Sequence, residues 1–417
     1  MSDQYDNNFG TQEDKPPKSK SKSNLVQSIF NFCNVLIGVG ILSLPLAFKY
    51  TGWIIGISLL FFCMGAANYT AGLLIKCLNY KEGIYTYPDI ATIAFGNLGN
   101  FVTLVIFTLD LIGVAVSLVI LIGDSLQLLF PDISLISLKI IAWVILMPLG
   151  FIDLKYLASF SCLGILTTII LAIIVIIDGF ARDERPGSLF NPMKTELWPT
   201  DWNSLPFSFG LIIAGYSGHP TFPSIYLDMQ TPNNFQKAIN ISYIFGTVIY
   251  LSLAVCGYLM FGNLTKPEIT QNIVSTPDHL IFLNKFIVWA VAINPFTKIA
   301  LILNPINLYL ETQYQSSPCN LWTHLRNGCY IFIKFLSRTF VLTAVVFIAI
   351  KYPQFDRALE LIGSFLFYAI AIIFPSMFYL KLYSNSLSWW EWLVNLLLIL
   401  VCTVLAILGT IWAFLFY

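Results

Sequence analysis

Apolar stretches long enough to cross a bilayer recur along the whole chain and constrain its fold more than any other feature. They run at about 25–48, 52–78, 100–130, 135–151, 156–179, 203–228, 236–262, 280–310, 327–350, 357–381 and 389–416. A helix needs about 20 apolar residues to span the hydrocarbon core, and no strand-like alternation competes with that reading. Composition agrees. Of 417 residues 57% are hydrophobic and 11% charged, with mean hydropathy +0.76, whereas a soluble domain carries about 25% charged residues. The chain reads as an all-α integral membrane protein with eleven transmembrane helices. Its 22 basic and 22 acidic residues balance, which gives no support for nucleic-acid binding. Six of the eight cysteines fall well within spans, Cys319 falls in a loop placed on the cytosolic side, and Cys329 falls at the boundary of that loop with the next span. That distribution argues against a disulfide framework.

Residues 1–24 are polar, with Pro16-Pro17 and no apolar periodicity, and read as a disordered tail. Lys15, Lys18, Lys20 and Lys22 stand just before the first span and place the N-terminus in the cytosol. Eleven crossings then place the C-terminus in the lumen. Residues 25–417 form one transmembrane domain. Its loop 180–202 is expected to be a folded cap between two halves.

Two spans are not plain anchors. The first contains Asn34-Val-Leu-Ile-Gly-Val-Gly-Ile-Leu-Ser-Leu-Pro45, and the sixth contains Gly210-Leu-Ile-Ile-Ala-Gly-Tyr-Ser-Gly-His-Pro-Thr-Phe-Pro223. Glycine costs roughly 1 kcal/mol against alanine inside a helix and proline about 3. Hydrocarbon tolerates such breaks only where the freed backbone groups face protein, water or a ligand. Paired broken helices at matching positions of two halves point to the binding site of a secondary transporter.

Other segments narrow the class. Lys49-Tyr-Thr-Gly-Trp53 follows the first break, and Phe107-Thr-Leu-Asp110 precedes Leu118-Val-Ile-Leu-Ile-Gly-Asp-Ser125. Gly187-Ser-Leu-Phe-Asn-Pro-Met193, Gly218-His219 with Phe222-Pro223, and Asn294-Pro-Phe-Thr-Lys298 complete the set. Together these resemble the amino acid/auxin permease family, in particular its fungal vacuolar (Avt) group, relatives of the vesicular inhibitory amino-acid carriers. The resemblance runs from about Leu25 to the end. It implies a LeuT-like fold of the APC superfamily: inverted repeats at about 25–179 and 203–381, plus an extra helix at about 389–416. It also implies proton-coupled amino-acid transport at an acidic organelle, the vacuole, by antiport of lumenal protons for cytosolic amino acids. Symport out of the vacuole or across the plasma membrane, and a non-transporting amino-acid sensor, stay open beside it. Driven by a proton gradient, such a carrier needs no cofactor.

An amino-acid zwitterion suits two broken helices, whose free N–H groups face its carboxylate and whose free carbonyls face its ammonium. Gly38 and Gly40 let it approach the backbone, with Ile37, Val39 and Ile41 presenting the surrounding main chain. Ala214, Gly215, Tyr216, Ser217 and Gly218 form the opposite wall. The plainer reading is close helix packing at small residues, with Tyr216 a packing tyrosine. His219 at the second break either couples to protons or is a buried histidine bonded to a freed carbonyl. Asp110 and Lys298 lie inside spans, where a charge costs roughly 2.5–3.5 kcal/mol and usually works for function. In a LeuT-like fold Lys298 would take the place of a sodium ion between helices 1 and 8, with Asn34 and Thr297 nearby. Its alternative is a lysine snorkelling to the interface. Asp110 is expected to pair with a lysine or with a polar group of helix 8. Asp124 is read as solvated at the outer end of its span. His219, His279 and His324 lie in separate regions with no metal-ligand spacing, so neither a metal site nor an enzyme is indicated. A channel would want rings of like charge along a pore, and the polar residues here are isolated.

Overall fold

In a computed structural model, residues 22–37, 39–152, 154–275, 281–316, 323–353 and 363–415 are described. Regular structure there is helical, apart from one parallel bridge between Ser23 and Met229. In chain order the helices are α1 (Leu25–Leu36), α2 (Leu44–Leu78), α3 (Tyr87–Leu129), α4 (Leu135–Leu149), α5 (Leu154–Ala181), α6 (Leu205–Ala214) and α7 (Phe222–Asp228). They continue as α8 (Phe235–Phe261), α9 (Ile269–Ser275), α10 (Ile281–Phe296), α11 (Ile299–Ser316), α12 (Thr323–Lys351), α13 (Phe374–Leu382) and α14 (Trp389–Leu415). Eight helical segments among the described residues are long and apolar enough to cross a membrane, one of them running from α10 through a short turn into α11 (Phe286–Gln313) and one ending with α13 (Phe365–Leu382). The first and sixth expected spans are not among them, because each is interrupted, and α4 is short. The tail 1–21, Gly38, Cys319 and His279 lie outside the described residues.

Both expected interruptions are present and share a design. The α1 helix stops at Leu36, a 3-10 turn covers Val39–Ser43, and Pro45 occupies the first turn of α2. The α6 helix stops at Ala214, a 3-10 turn covers His219–Thr221, and Pro223 occupies the first turn of α7. Proline lacks an N–H that the first turn of a helix does not need, so it starts the second half-helix at no cost in hydrogen bonds.

Three boundaries differ from the sequence expectation. The span expected to be continuous over 280–310 is broken between α10 and α11. Pro295 removes a ladder donor, and the chain closes two tight turns instead, Thr297 N–H to Asn294 O (3.1 Å) and Lys298 N–H to Pro295 O (3.0 Å). Within the tenth expected span, Gly363–Phe367 and Ala369–Ile373 form π-helical turns. The α3 helix begins at Tyr87 rather than near 100 and bends at Gly96, where φ is +70°.

The α2 helix carries a similar bend at Gly52, with φ +67°. Its neighbours Trp53 and Ile54 donate their amides to the carbonyls of Glu196 (3.2 Å) and Leu197 (3.1 Å) in the loop after α5, and the Trp53 indole donates to Thr195 Oγ1 at 3.1 Å. The same loop donates from Gly187 to Met260 O and from Met193 to Leu259 O, each at 2.8 Å, at the end of α8. A loop without helix or strand is thereby tied by its backbone to α2 and α8. At the other end of the first broken helix, the Ser23 hydroxyl donates to the Asp228 carboxylate at 2.5 Å, joining the start of α1 to the end of α7. A Cβ at residue 52 would lie 2.7 Å from Leu197 O, in a backbone region hostile to L side chains. Gly52→Ala should therefore cost about 1–3 kcal/mol and lower the thermal midpoint in detergent, read by tryptophan fluorescence.

Candidate functional site

The two interruptions lie against each other. A Cβ built at Gly40 would stand 3.1 Å from Ala214 Cβ and 3.3 Å from Gly215 N, so glycine is what lets the two breaks touch. Behind them runs α8. Its Gly257 admits the ring of Pro45, whose Cγ would be 2.4 Å from an added Cβ, and its Gly246 faces Ile37. Between those glycines, the Tyr250 hydroxyl reaches both breaks: it hydrogen-bonds the Leu36 carbonyl and lies 2.6 Å from the Gly215 carbonyl. The rings of Tyr216 and Tyr250 meet edge to face at 5.2 Å, and Tyr216 stacks on Tyr243 at 6.0 Å. The Tyr216 hydroxyl pairs with Thr247 Oγ1 at 3.0 Å, and Tyr243 donates to the Tyr216 carbonyl at 3.1 Å. Tyr216 is thus engaged with α8 in this conformation.

The third interruption brings Lys298 to the first. Its side chain is 1% exposed, and the ammonium donates to the Ile37 carbonyl, at the C-terminal end of α1. Snorkelling is ruled out by that burial. A cation also suits the negative end of a helix dipole. Beside it, Asn34 Nδ2 donates to the Thr297 carbonyl and to Ser161 Oγ, both at 3.2 Å, and Thr297 Oγ1 lies 3.4 Å from Asn34 Oδ1. Ser161 in turn donates to Asn31 Oδ1 at 2.8 Å. From the end of α10, Asn294 donates to Gly164 O at 2.7 Å and lies 2.9 Å from Thr167 Oγ1. One polar cluster therefore joins α1, α5 and the α10–α11 break.

His219 is fully buried. Its Nε2 sits 3.1 Å from both Thr70 Oγ1 and the Ala67 carbonyl of α2. A carbonyl only accepts, so Nε2 carries the proton. Nδ1 has no hydrogen-bond partner among the described residues, and neither has the buried Ser217 Oγ. Thr70 also donates to Ala371 O at 2.6 Å, in a π-helical turn.

Asp110 departs from expectation. It is 1% exposed, forms no ion pair among the described residues, and its Oδ1 has no hydrogen-bond partner there. The lysine of the α10–α11 break is committed to Ile37, and among the described residues Asp110 Oδ1 meets neither another lysine nor a polar group of the eighth span. Ile41 and Gly218 are buried at the breaks, Gly218 against Val35 of α1. At Val39 the backbone belongs to the 3-10 turn, and Gly38 lies outside the described residues. Asp124, read as solvated, lines a cavity of about 400 Å³ with Gln127, Glu268, Thr270 and Gln271. That cavity shares Val291 with a narrower one bounded by Ile41, Thr167 and Asn294. No group of three or more His, Cys, Asp or Glu placed to hold a metal occurs among the described residues.

Comparison with known proteins decides the family. A model of the transmembrane amino acid transporter proteins matches residues 21–416. The chain belongs to this transporter family. Among its relatives in Arabidopsis thaliana, the amino acid transporter AVT1D is 34% identical over 391 residues, 90% of this chain, which spans 66% of that relative's length. AVT1E is 31% identical over 406 residues, covering 94% of this chain and 73% of its own. AVT1I is 31% identical over 379 residues and 87% of each. A transporter family with apolar spans of this length makes the chain a multi-pass membrane protein, not an enzyme.

Several residues of the cluster had a readable signal. Asn31 and Asn34, and Ser161 and Gly164, each stand three apart on an apolar helix, one face of its period. Tyr250 had none, since nothing separates it from other aromatics of an apolar span. Gly164 is the tightest point. A Cβ there would lie 2.2 Å from Asn34 Oδ1 and 2.3 Å from Thr297 Oγ1. Gly164→Ala should push α5 from α1 and lose about 1–3 kcal/mol of stability, seen as a lower midpoint in a detergent thermal-shift assay, whereas Gly65→Ala, with open space around it, should not.

Proposed function

We propose that this chain is a proton-coupled amino-acid transporter that loads an acidic organelle, the vacuole, by exchanging lumenal protons for cytosolic amino acids. The observation that carries the reading is the contact of two opposed helix breaks, Gly40 against Ala214 and Gly215. Counting the two interrupted helices and α4 with the eight long ones makes eleven spans. We read them as a LeuT-like pair of inverted repeats (about 25–179 and 203–381) with α14 outside them. The N-terminus, with its lysine-bearing tail, is cytosolic and the C-terminus lumenal.

In this reading the zwitterion lies between Ile37–Ile41 and Ala214–Gly218, carboxylate toward the free N–H groups and ammonium toward the free carbonyls. Alternating access rocks α1 and α6 with their partner half-helices about the breaks. Lys298 is the coupling group. While protonated it holds the Ile37 carbonyl, and loss of the proton releases the end of α1. Asn34 and Thr297 hold the α10–α11 break in register beside it. Asp110 and His219 are further proton carriers: a buried carboxyl whose Oδ1 has no hydrogen-bond partner among the described residues is costly as an anion, and the Nδ1 of His219 has no partner there either. The cavity at Asp124 and Glu268 is the lumenal approach.

Purified full-length protein in liposomes, acid inside, should concentrate radiolabelled neutral amino acids and lose that uptake with a protonophore. Uptake that instead needs acid outside makes the protein a symporter. Binding with no flux under either gradient makes it a sensor. Lys298→Met, which keeps the side chain's bulk but not its charge, should abolish the dependence on the gradient and leave counterflow within about threefold of wild type, because the pocket is retained.

A further inference from the structure

Just before α1 the chain is hydrogen-bonded to the segment that follows α7. Ser23 donates its amide to Asp228 O at 2.8 Å and its hydroxyl to Asp228 Oδ2 at 2.5 Å, and its carbonyl accepts from the Gln230 amide at 2.9 Å. The Gln230 side chain adds a bond to Lys22 O at 2.7 Å. Ser23 and Met229, the two bridged residues, are buried, while Lys22, Asn24 and Gln230 around them are exposed. Neither end of the bridge has slack. Asn24 caps α1 in a reciprocal box with Gln27, and Met229 caps α7, donating to Tyr226 O at 3.1 Å. Because α1 precedes the first break and α7 follows the second, the bridge joins two half-helices, and α1 cannot tilt away from α7 without parting it.

Deeper between the same half-helices, Phe32 meets Phe222 edge to face at 5.5 Å, and the Asn79 side chain at the end of α2 donates to the Tyr226 hydroxyl at 2.8 Å. The cavity of about 400 Å³ lies beside Asp124, near the far end of α3, whose start follows α2. This conformation is therefore shut on the side of the N-terminus and has its open space toward the other. We propose that Ser23 is the positioning residue of a latch: its bridge to residues 228–230 locks α1 to α7, and the latch parts each time that side opens. With exposed residues around it, a parted bridge exchanges its hydrogen bonds for bonds to water, so opening forfeits only their modest net worth. A contact remade in every cycle needs that property. The latch deepens the transport reading, which makes this side cytosolic, and rests on it for the flux consequence; the bridge itself is a feature of the fold.

Ser23→Asp sets a second carboxylate against Asp228 and removes the hydroxyl donor, whereas Ser23→Thr keeps a hydroxyl. Hydrogen exchange of the full-length protein in detergent, without added substrate, reads peptides spanning 29–36 and 222–229. Ser23→Asp should speed exchange in both by roughly tenfold with α14 unchanged, and Ser23→Thr should match wild type. A role confined to starting α1 predicts acceleration at 24–28 alone, and that result, or no acceleration anywhere, overturns the proposal. Paired strands lie about 4.8 Å apart, within the Cα range of a disulfide, so Ser23→Cys combined with Met229→Cys should cross-link on oxidation. In liposomes the oxidised double variant should lose uptake of radiolabelled L-leucine and regain it with reductant. Uptake that survives a cross-link confirmed by mass spectrometry, or failure of the cross-link to form, overturns the latch. Absence of leucine flux in wild type counts against the transport reading and leaves the exchange result to decide on Ser23.

Discussion

A carbonyl freed from its helix inside a membrane has no water to turn to, so a protein donor must be brought to it. That constraint organises the centre of this molecule. Leu36 and Gly215 share the hydroxyl of Tyr250, Ile37 takes the ammonium of Lys298, Tyr216 takes the hydroxyl of Tyr243, and Ala371 takes Thr70. Each donor comes from a different helix than its acceptor. The interruptions are therefore held by neighbouring helices, and a movement of one is felt by the donor that serves it.

Small residues make this arrangement sterically feasible. Gly40 lets the breaks touch, Gly257 receives Pro45, and Gly164 leaves room for Asn34 and Thr297. In hydrocarbon, close backbone approach and interhelical hydrogen bonds replace the hydrophobic drive available in water. The two needs coincide here, since donors as short as threonine and asparagine reach a carbonyl only where the helices nearly meet.

The periphery follows a different rule. At Gly52 the bend is served by backbone carbonyls of a loop, at Glu196 and Leu197, and the bend itself needs a glycine φ. There the tie is backbone to backbone, and it holds the loop after α5 against both α2 and α8.

By itself the sequence determined the all-helical membrane class, through long apolar runs, and the two principal breaks, through glycine and proline that no plain anchor would carry. It also pointed to the family, through segments that the family model covers. The third break was written in Asn294-Pro295 yet unread, because a proline near the end of a long apolar run is compatible with a mere kink. The π-helical turns had no signature, since π geometry is a matter of hydrogen-bond register rather than composition. Tertiary structure alone decided that Lys298 faces the end of α1, that Asp110 Oδ1 has no hydrogen-bond partner among the described residues, and that the Tyr250 hydroxyl meets a carbonyl of each break. The reason is geometric. A polar side chain in an apolar helix announces that it needs a partner, but which carbonyl it meets depends on the rotation and offset of helices some 200 residues apart in the chain, such as Leu36 and Tyr250, for which |i−j| is 214.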